Sequence, residues 1–221
     1  VNVCVIPAKG SSLRIPHKNR RPFHGRPIIC YSIDTARESG LFEKIVVSTD
    51  DPAIARIATD NGADFWMRPA RLSYGHIGPT DVTRYTLRAL DYAAGFACCV
   101  LATSPLMLAE DLRRGLHTML ATGAPYAYSA ALKPQREDNL RWDAGQWYWG
   151  AISAFLGGVP IDSPDAVKVV IPAERVCDIN EPSDWELAEV MYAQTHGMGP
   201  AALIRPTPWR TIAPPKVQKA S

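Results

Sequence analysis

The sequence holds 221 residues and 24.2 kDa, enough for one α/β domain that buries its own core without disulfide or metal staples. Lys and Arg number 24 against 22 Asp and Glu, a net charge of +2; with no global basic field, nucleic acid is not favoured as a partner. Five cysteines without C-x-x-C spacing read as reduced, packed thiols. No apolar run reaches membrane-spanning length and no signal peptide precedes the first strand, so a cytoplasmic protein without a membrane span is expected.

Residues 1–6 read as a buried strand that stops at Pro7, followed by a polar loop with Gly10, Ser11 and Ser12. A local basic cluster follows at Arg14, His17, Lys18, Arg20 and Arg21. Such a cluster suits a small polyphosphate, and equally a solvated loop. From residue 27 to 39 the apolar spacing is helical, with Pro27 suited to the first turn and Gly40 to the position past the end. Residues 44–49 form a second strand, and Asp50-Asp51-Pro52 opens another helix. A third strand is expected at 64–66, an amphipathic segment at 80–94, and a fourth strand at 98–101. Thr103-Ser104-Pro105 then leads into a helix at 110–121. Residues 126–131 and 167–171 read as strands and 182–193 as a helix. The tail 206–221, with four prolines, reads as an extended arm, either an interface strap or a frayed terminus.

Strands alternating with helices predict a three-layer α/β fold around a doubly wound, mainly parallel sheet. Ligands bind such sheets beyond the carboxyl ends of their strands. The loops after Ile6, Ser48 and Leu101 lie at those ends. The first of them, Ile6-Pro7-Ala8-Lys9-Gly10-Ser11-Ser12-Leu13-Arg14-Ile15-Pro16-His17-Lys18-Asn19, combines small residues that let backbone amides approach an anion with cations that neutralise it. It lacks G-K-[ST] and is no Walker loop.

This stretch resembles the I-P-A-R-x-x-S-x-x-x-x-x-K-N signature that opens the CMP-sialic acid synthetase family. Further matches follow in order. Ile45-Val46-Val47-Ser48-Thr49-Asp50 is similar to the family's second strand, and Arg68-Pro69 with Leu72-Ser73 to its R-P-x-x-L-S loop. Ala102-Thr103-Ser104-Pro105-Leu106 with Glu110-Asp111-Leu112 resembles P-T-S-P-L and the helix after it. Asp178-Ile179-Asn180-Glu181-Pro182-Ser183-Asp184-Trp185 resembles D-I-N-T-P-E-D-W. Trp142-Asp143-Ala144-Gly145-Gln146-Trp147-Tyr148-Trp149-Gly150 is similar to H-D-A-G-Q-F-Y-W-G of the pseudaminic acid branch, and Pro134-Gln135-Arg136 to its P-I-Q-R. The match runs to about Tyr192. It implies a Rossmann-like nucleotide-diphospho-sugar transferase fold over residues 1–205, with a dimerisation or substrate element around 130–160.

The resemblance implies a CTP-dependent transfer of CMP to a nonulosonic acid, foremost pseudaminic acid, in a homodimer with Mg²⁺. N-acetylneuraminic or legionaminic acid is the alternative sugar, and a non-catalytic nucleotide-binding homologue the alternative class. A glycosyltransferase is disfavoured by the lack of a clear D-x-D. On the nucleotide side the implied residues are Ala8, Lys9, Gly10, Ser12, Lys18 and Asn19, with Lys18 and Asp178 catalytic and Asp178 on the metal. Mg²⁺ takes few carboxylates, plus phosphate oxygens and water. The competing role for Asp178 is a helix N-cap; Asp184 is expected to cap or sit in the first turn. Arg68, Thr80, Arg136, Asp143 and Gln146 are the candidates for the sugar, with a surface ion pair as the competing role of Arg68. Trp147, Tyr148 and Trp149 suit a site wall, a core or an interface. The chain departs from the pattern at Lys9, where Arg is usual; at Leu13, where Lys is frequent; at Tyr74-Gly75, in place of an acidic pair; and in a short segment between Arg136 and Asp143.

Overall fold

The computed structural model describes residues 1–132 and 141–198. Elements follow in the order β1 (Asn2–Ala8), β2 (Pro22–Phe23), β3 (Arg26–Pro27), α1 (Ile29–Ser39), β4 (Lys44–Thr49), α2 (Pro52–Asp60), β5 (Asp64–Met67) and α3 (Pro79–Ala89). The second half adds β6 (Phe96–Val100), α4 (Ala109–Thr122), β7 (Tyr126–Leu132), β8 (Arg141–Ala151), α5 (Ile152–Gly157), β9 (Val167–Val170) and α6 (Pro182–Thr195). The large sheet runs β5-β4-β1-β6-β8-β7-β9, and β8 pairs antiparallel with both neighbours while the other ladders are parallel. β2 and β3 form a two-stranded ribbon.

Buried residues of α1, α2 and α4, among them Ile29, Ile33, Ile54, Leu112 and Leu116, pack one sheet face with Cys4, Ile6, Trp147 and Trp149. Leu87 of α3 with Ile152 and Phe155 of α5 cover the other face. Three layers result, as the alternating pattern predicts. The aromatic run of β8 is core: Trp147 and Trp149 are fully buried and Tyr148 nearly so. That removes it as a wall of the site and as an interface.

Several boundaries differ from the sequence expectation, α3 ending at Ala89 and β6 starting at Phe96 among them, and two have a plain cause. β1 continues through Pro7 to Ala8, because beyond Val5 it pairs with β4 alone and the missing N–H falls where a ladder on the β6 side has ended. Pro27 belongs to the β2–β3 ribbon, so α1 starts at Ile29; Gly40 closes the helix in the left-handed region at φ 66° as its position predicts. The alternating aromatic run at 147–149 lies in β8, which extends it to eleven residues; α5 was not expected.

A satellite core lies outside the layers. Ile15, Phe23 and Ile28 pack with Ile179, Trp185 and Ala188. Phe23 meets Trp185, Tyr31 and Tyr192 edge-on at centroid distances of 5.7, 5.4 and 5.5 Å. This packing fixes the loop after β1 against the segment that opens α6, far away in the chain.

Candidate active site

Parallel β1, β4 and β6 deliver their carboxyl ends to one edge of the sheet, where a cavity of about 250 Å³ opens. Lys9, Lys18, Asn19, Arg68, Ser73 and Thr103 line its polar side, and Leu72, Ile77, Val82 and Leu101 its apolar side. The loops after Ile6 and Leu101 line this cavity, and the loop after Ser48 stands behind the first of them, with Asp50 bonded to Gly10.

The first loop is held by its own polar groups. Asn19, 8% exposed, donates its amide to Lys9 O at 2.8 Å, which closes the loop on itself. Ile15 N–H donates to Ser12 Oγ at 3.4 Å, so Ser12 forms the turn. Gly10 N–H, expected to face an anion, donates instead to Asp50 Oδ1 at 2.7 Å. A Cβ at Gly10 would stand 2.7 Å from Asp51 Cβ, so glycine is required by close approach. Ala8 is fully buried at the end of β1. Leu13 points wholly into solvent.

Lys18 sits in a 3-10 turn (Lys18–Arg20) and donates through Nζ to Ile179 O at 2.6 Å. Burial pulls its ammonium below the ordinary lysine value, with Asp178 opposing and Arg14 and Lys9 reinforcing the fall. Arg68, 5% exposed, donates Nε to Ser73 Oγ at 3.0 Å while its buried Nη1 has no protein partner. It is no surface ion pair. A buried guanidinium nitrogen left open on a cavity is a standing demand for an acceptor. Burial raises the Asp50 carboxyl, but hydrogen bonds from Gly10 and Ser73 and the Arg68 charge outweigh it and leave it below its ordinary value.

Asp178 lies in the segment between β9 and α6, exposed, and accepts at Oδ2 from Asn180 Nδ2 at 2.6 Å. The helix cap is made elsewhere: Asp184 Oδ2 accepts from Asn180 N at 2.8 Å and Glu181 N at 2.7 Å. Asp178 is thus released from the competing capping role, and Asp184 fills it as expected. Arg14, unremarked in the sequence except as part of a basic cluster, ties Asn180 Oδ1 at 2.8 Å and Glu181 Oε1 at 3.3 Å.

Asp143 enters beside Asp178 through a bulge. Tyr128 to Ala130 on β7 is two steps, and their partners Tyr148 and Asp143 on β8 are five apart. Gly145 in the left-handed region, φ 64°, makes this turn possible, and a Cβ there would lie 3.9 Å from Asp178 Cγ. Asp143 accepts from Gly145 N–H at 2.8 Å and Tyr148 OH at 2.7 Å. Burial raises its carboxyl; the two hydrogen bonds pull against that rise and the Asp178 charge adds to it. The same bulge turns Gln146 away from the cavity. Its side chain is 3% exposed and donates Nε2 to Arg175 O at 2.5 Å, which corrects its expected place against the sugar. Thr80 is also displaced. Its neighbour Pro79 lines the Lys18 cavity, but at 100° per helical residue Thr80 turns into a second cavity with Asp81, Arg84 and Tyr126. Arg136 lies outside the described residues.

Among the described residues no three His, Cys, Asp or Glu side chains gather into a metal site. Asp50, Ser73 and Arg14 were missed as residues that shape the site. Asp50 and Ser73 lie inside the matched motifs, and only contact with Gly10 and Arg68 reveals what they do.

A mainly parallel sheet with a cation-lined cavity at its carboxyl edge is the architecture of α/β proteins that bind anionic ligands there. Comparison with known proteins gives the class its name: a cytidylyltransferase family model matches residues 3–144, and the chain belongs to that family. It is a nucleotidyltransferase. Among curated relatives, pseudaminic acid cytidylyltransferase of Campylobacter jejuni is 30% identical over 226 residues, covering 88% of this chain and 97% of the relative. CMP-N,N'-diacetyllegionaminic acid synthase of Legionella pneumophila is 32% identical over 128 residues, covering 55% and 54%. Among solved structures, CMP:2-keto-3-deoxy-manno-octonic acid synthetase complexed with CTP superposes at a TM-score of 0.69 and 17% identity, covering 88% of this chain and 99% of that one. A cytidylyltransferase of Leptospira borgpetersenii gives 0.63 and 15%, covering 93% and 98%. The nucleotide-diphospho-sugar transferase fold implied by the motifs is thereby shown.

Proposed function

We propose that the chain forms CMP-pseudaminic acid and pyrophosphate from CTP and pseudaminic acid. The anomeric hydroxyl oxygen of the sugar bonds to the α-phosphorus, the bond from that phosphorus to the pyrophosphate oxygen breaks, and the hydroxyl proton leaves to solvent. The observation that carries the reading is the convergence of Lys9, Lys18, Asn19 and Arg68 on one cavity beside Asp178.

Nucleotidyl transfer asks chiefly for positioning and charge neutralisation. Lys9 and Lys18 supply point charges to the triphosphate. Arg68 Nη1 supplies a donor for an anionic oxygen of a substrate, a role the sugar carboxylate suits. Asp143, fixed by Tyr148 OH and Gly145 N–H, presents a hydrogen-bond acceptor to the sugar hydroxyls. Asp178 fits Mg²⁺: its carboxylate is exposed, beside the phosphate-binding lysine, and not spent on the helix cap. One or two carboxylates with phosphate oxygens and waters suffice for that ion. When bound, Mg²⁺ supplies further neutralisation of the phosphate oxygens.

Pseudaminic acid is preferred because the relative bearing that name matches over nearly its full length, whereas the legionaminic acid relative matches over about half. A homodimer and a cytoplasmic location complete the reading. Among the described residues no helix is long and apolar enough to cross a membrane. Pyrophosphate release with CTP, Mg²⁺ and a panel of pseudaminic, legionaminic and N-acetylneuraminic acids tests it. Release with none of the three rejects the transferase reading; a preference for another sugar rejects the choice of substrate alone.

A further inference from the structure

A buried polar chain runs under the Asp178 segment without touching the cavity. Arg175, three residues before Asp178, ends a short 3-10 turn (Ala173–Arg175). Its guanidinium makes a two-pronged contact with Asp111 of α4, Nη1 to Oδ2 and Nη2 to Oδ1, the latter at 3.0 Å. Asp111 is 2% exposed and is itself fixed by Leu108 N–H at 3.0 Å. From the opposite side the Gln146 amide reaches the Arg175 carbonyl. Gln146 is anchored through its backbone, N–H to Ser129 Oγ at 3.2 Å and carbonyl to Leu101 N–H at 2.9 Å. Its Oε1 is buried without a partner. A glutamine kept in a core with one end unsatisfied carries a cost, and its side-chain amide bonds to the turn that leads to Asp178.

We propose that Gln146, Arg175 and Asp111 form a strut that positions the Asp178 carboxylate for its cation, Gln146 and Arg175 being positioning residues rather than substrate contacts. The segment is then held at both ends. Gln146 and Asp111 fix it before Asp178, and Lys18 Nζ on Ile179 O with Asp184 on Asn180 N fix it after. Asp178 stands between the two tethers, with its carboxylate directed by the backbone rather than by a dense set of side-chain bonds. The strut also links the cation carboxylate to both β8 and the first turn of α4, so the sequence-distant motifs T-S-P-L…E-D-L and D-A-G-Q act on one atom. Outer partners of a metal carboxylate govern its orientation, and losing one typically costs about 10–100-fold in metal affinity or activity.

This inference rests on the reading of Asp178 as the cation's carboxylate. The test is Mn²⁺ binding to the full chain with CTP and without sugar, read as free Mn²⁺ by electron paramagnetic resonance, so that no turnover is needed. Gln146→Leu and Arg175→Ala should each weaken Mn²⁺ by about 10-fold or more. CTP affinity measured without metal and the urea midpoint of Gln146→Leu should hold, since leucine also removes an unsatisfied acceptor. Arg175→Lys, which keeps a charge against Asp111, should recover part of the loss. Mn²⁺ affinity unchanged in both Gln146→Leu and Arg175→Ala overturns the strut. If one of the two fails to fold, the other decides. Asp178→Asn in the same titration separates the layers of the argument. Should it leave Mn²⁺ binding intact, the assignment of Asp178 to the cation falls; should it alone weaken binding, only the strut falls.

Discussion

Single residues in and beside this cavity have roles that their type alone does not announce. Asp178 touches Asn180 and is relieved of capping by Asp184, so its removal tests chemistry more than folding. Asp178→Asn is expected to lower kcat beyond the roughly 10–100-fold that outer partners of a metal cost, with stability within about 0.5 kcal/mol, as for an exposed position. Near-normal kcat at saturating Mg²⁺ would remove Asp178 from the reaction. Lys18 differs because burial favours its neutral form. As pH rises it loses its proton before an ordinary lysine, which titrates near 10.4. A triphosphate favours the ammonium. CTP binding at alkaline pH should therefore take up protons, and affinity should weaken with pH earlier than an exposed lysine would allow. Calorimetry in buffers of differing ionisation enthalpy measures the uptake; Lys18→Ala should abolish it and weaken CTP binding while sugar binding changes less.

At the scale of elements, the contact between α4 and β8 sets how closely the sheet can be covered. Gly115 of α4 lies over the indoles of β8, and a Cβ there would meet Trp147 Cη2 and Cζ3 at 2.5 Å and Trp149 Cδ1 at 2.9 Å. Alanine would gain up to about 1 kcal/mol of helix propensity, yet both tryptophans are fully buried and cannot swing out. Gly115→Ala should lose about 1–3 kcal/mol net, the cost of overpacking, read as a lower urea midpoint at unchanged slope. A stabilised variant would mean that the helix slides freely on the sheet. The bulge at Gly145 is the second decisive element. It turns Asp143 toward Asp178 and Gln146 toward Arg175, whereas an unbroken strand would alternate them across the sheet by the period of two.

At the scale of the molecule, the thiols report how closed the core is. Cys4, Cys30, Cys98 and Cys99 are buried, and burial raises each thiol; Cys177 is half-buried and pushed up to about 11. Native protein should therefore present at most one thiol to Ellman's reagent at neutral pH, slowly, and all five after unfolding in guanidinium. Rapid reaction of several thiols without denaturant would contradict the packing of β1 on β6. Association belongs to this scale too. With Trp147 to Trp149 in the core, the aromatic left for a subunit contact on β8 is Trp142, 41% exposed opposite Ala131. Sedimentation equilibrium should give twice 24.2 kDa, and Trp142→Asp should shift it toward the monomer; a monomeric native chain rejects the homodimer.

The sequence by itself determined the layers, most strand and helix positions, the edge of the sheet that carries the site, and the loop of Lys9, Lys18 and Asn19. These are local properties: hydrophobic period, Pro and Gly punctuation, and motifs whose residues are neighbours in the chain. Tertiary structure alone decided what depends on contacts between distant segments. Asp178 was freed from capping by Asp184, Gly10 was taken by Asp50, and Arg68 was buried with an open nitrogen rather than paired on the surface. Thr80 and Gln146 fell outside the cavity because side-chain direction follows from helical phase and from a bulge; Gly145 marks the bulge in the sequence, but which side chains it re-aims depends on the register against β7.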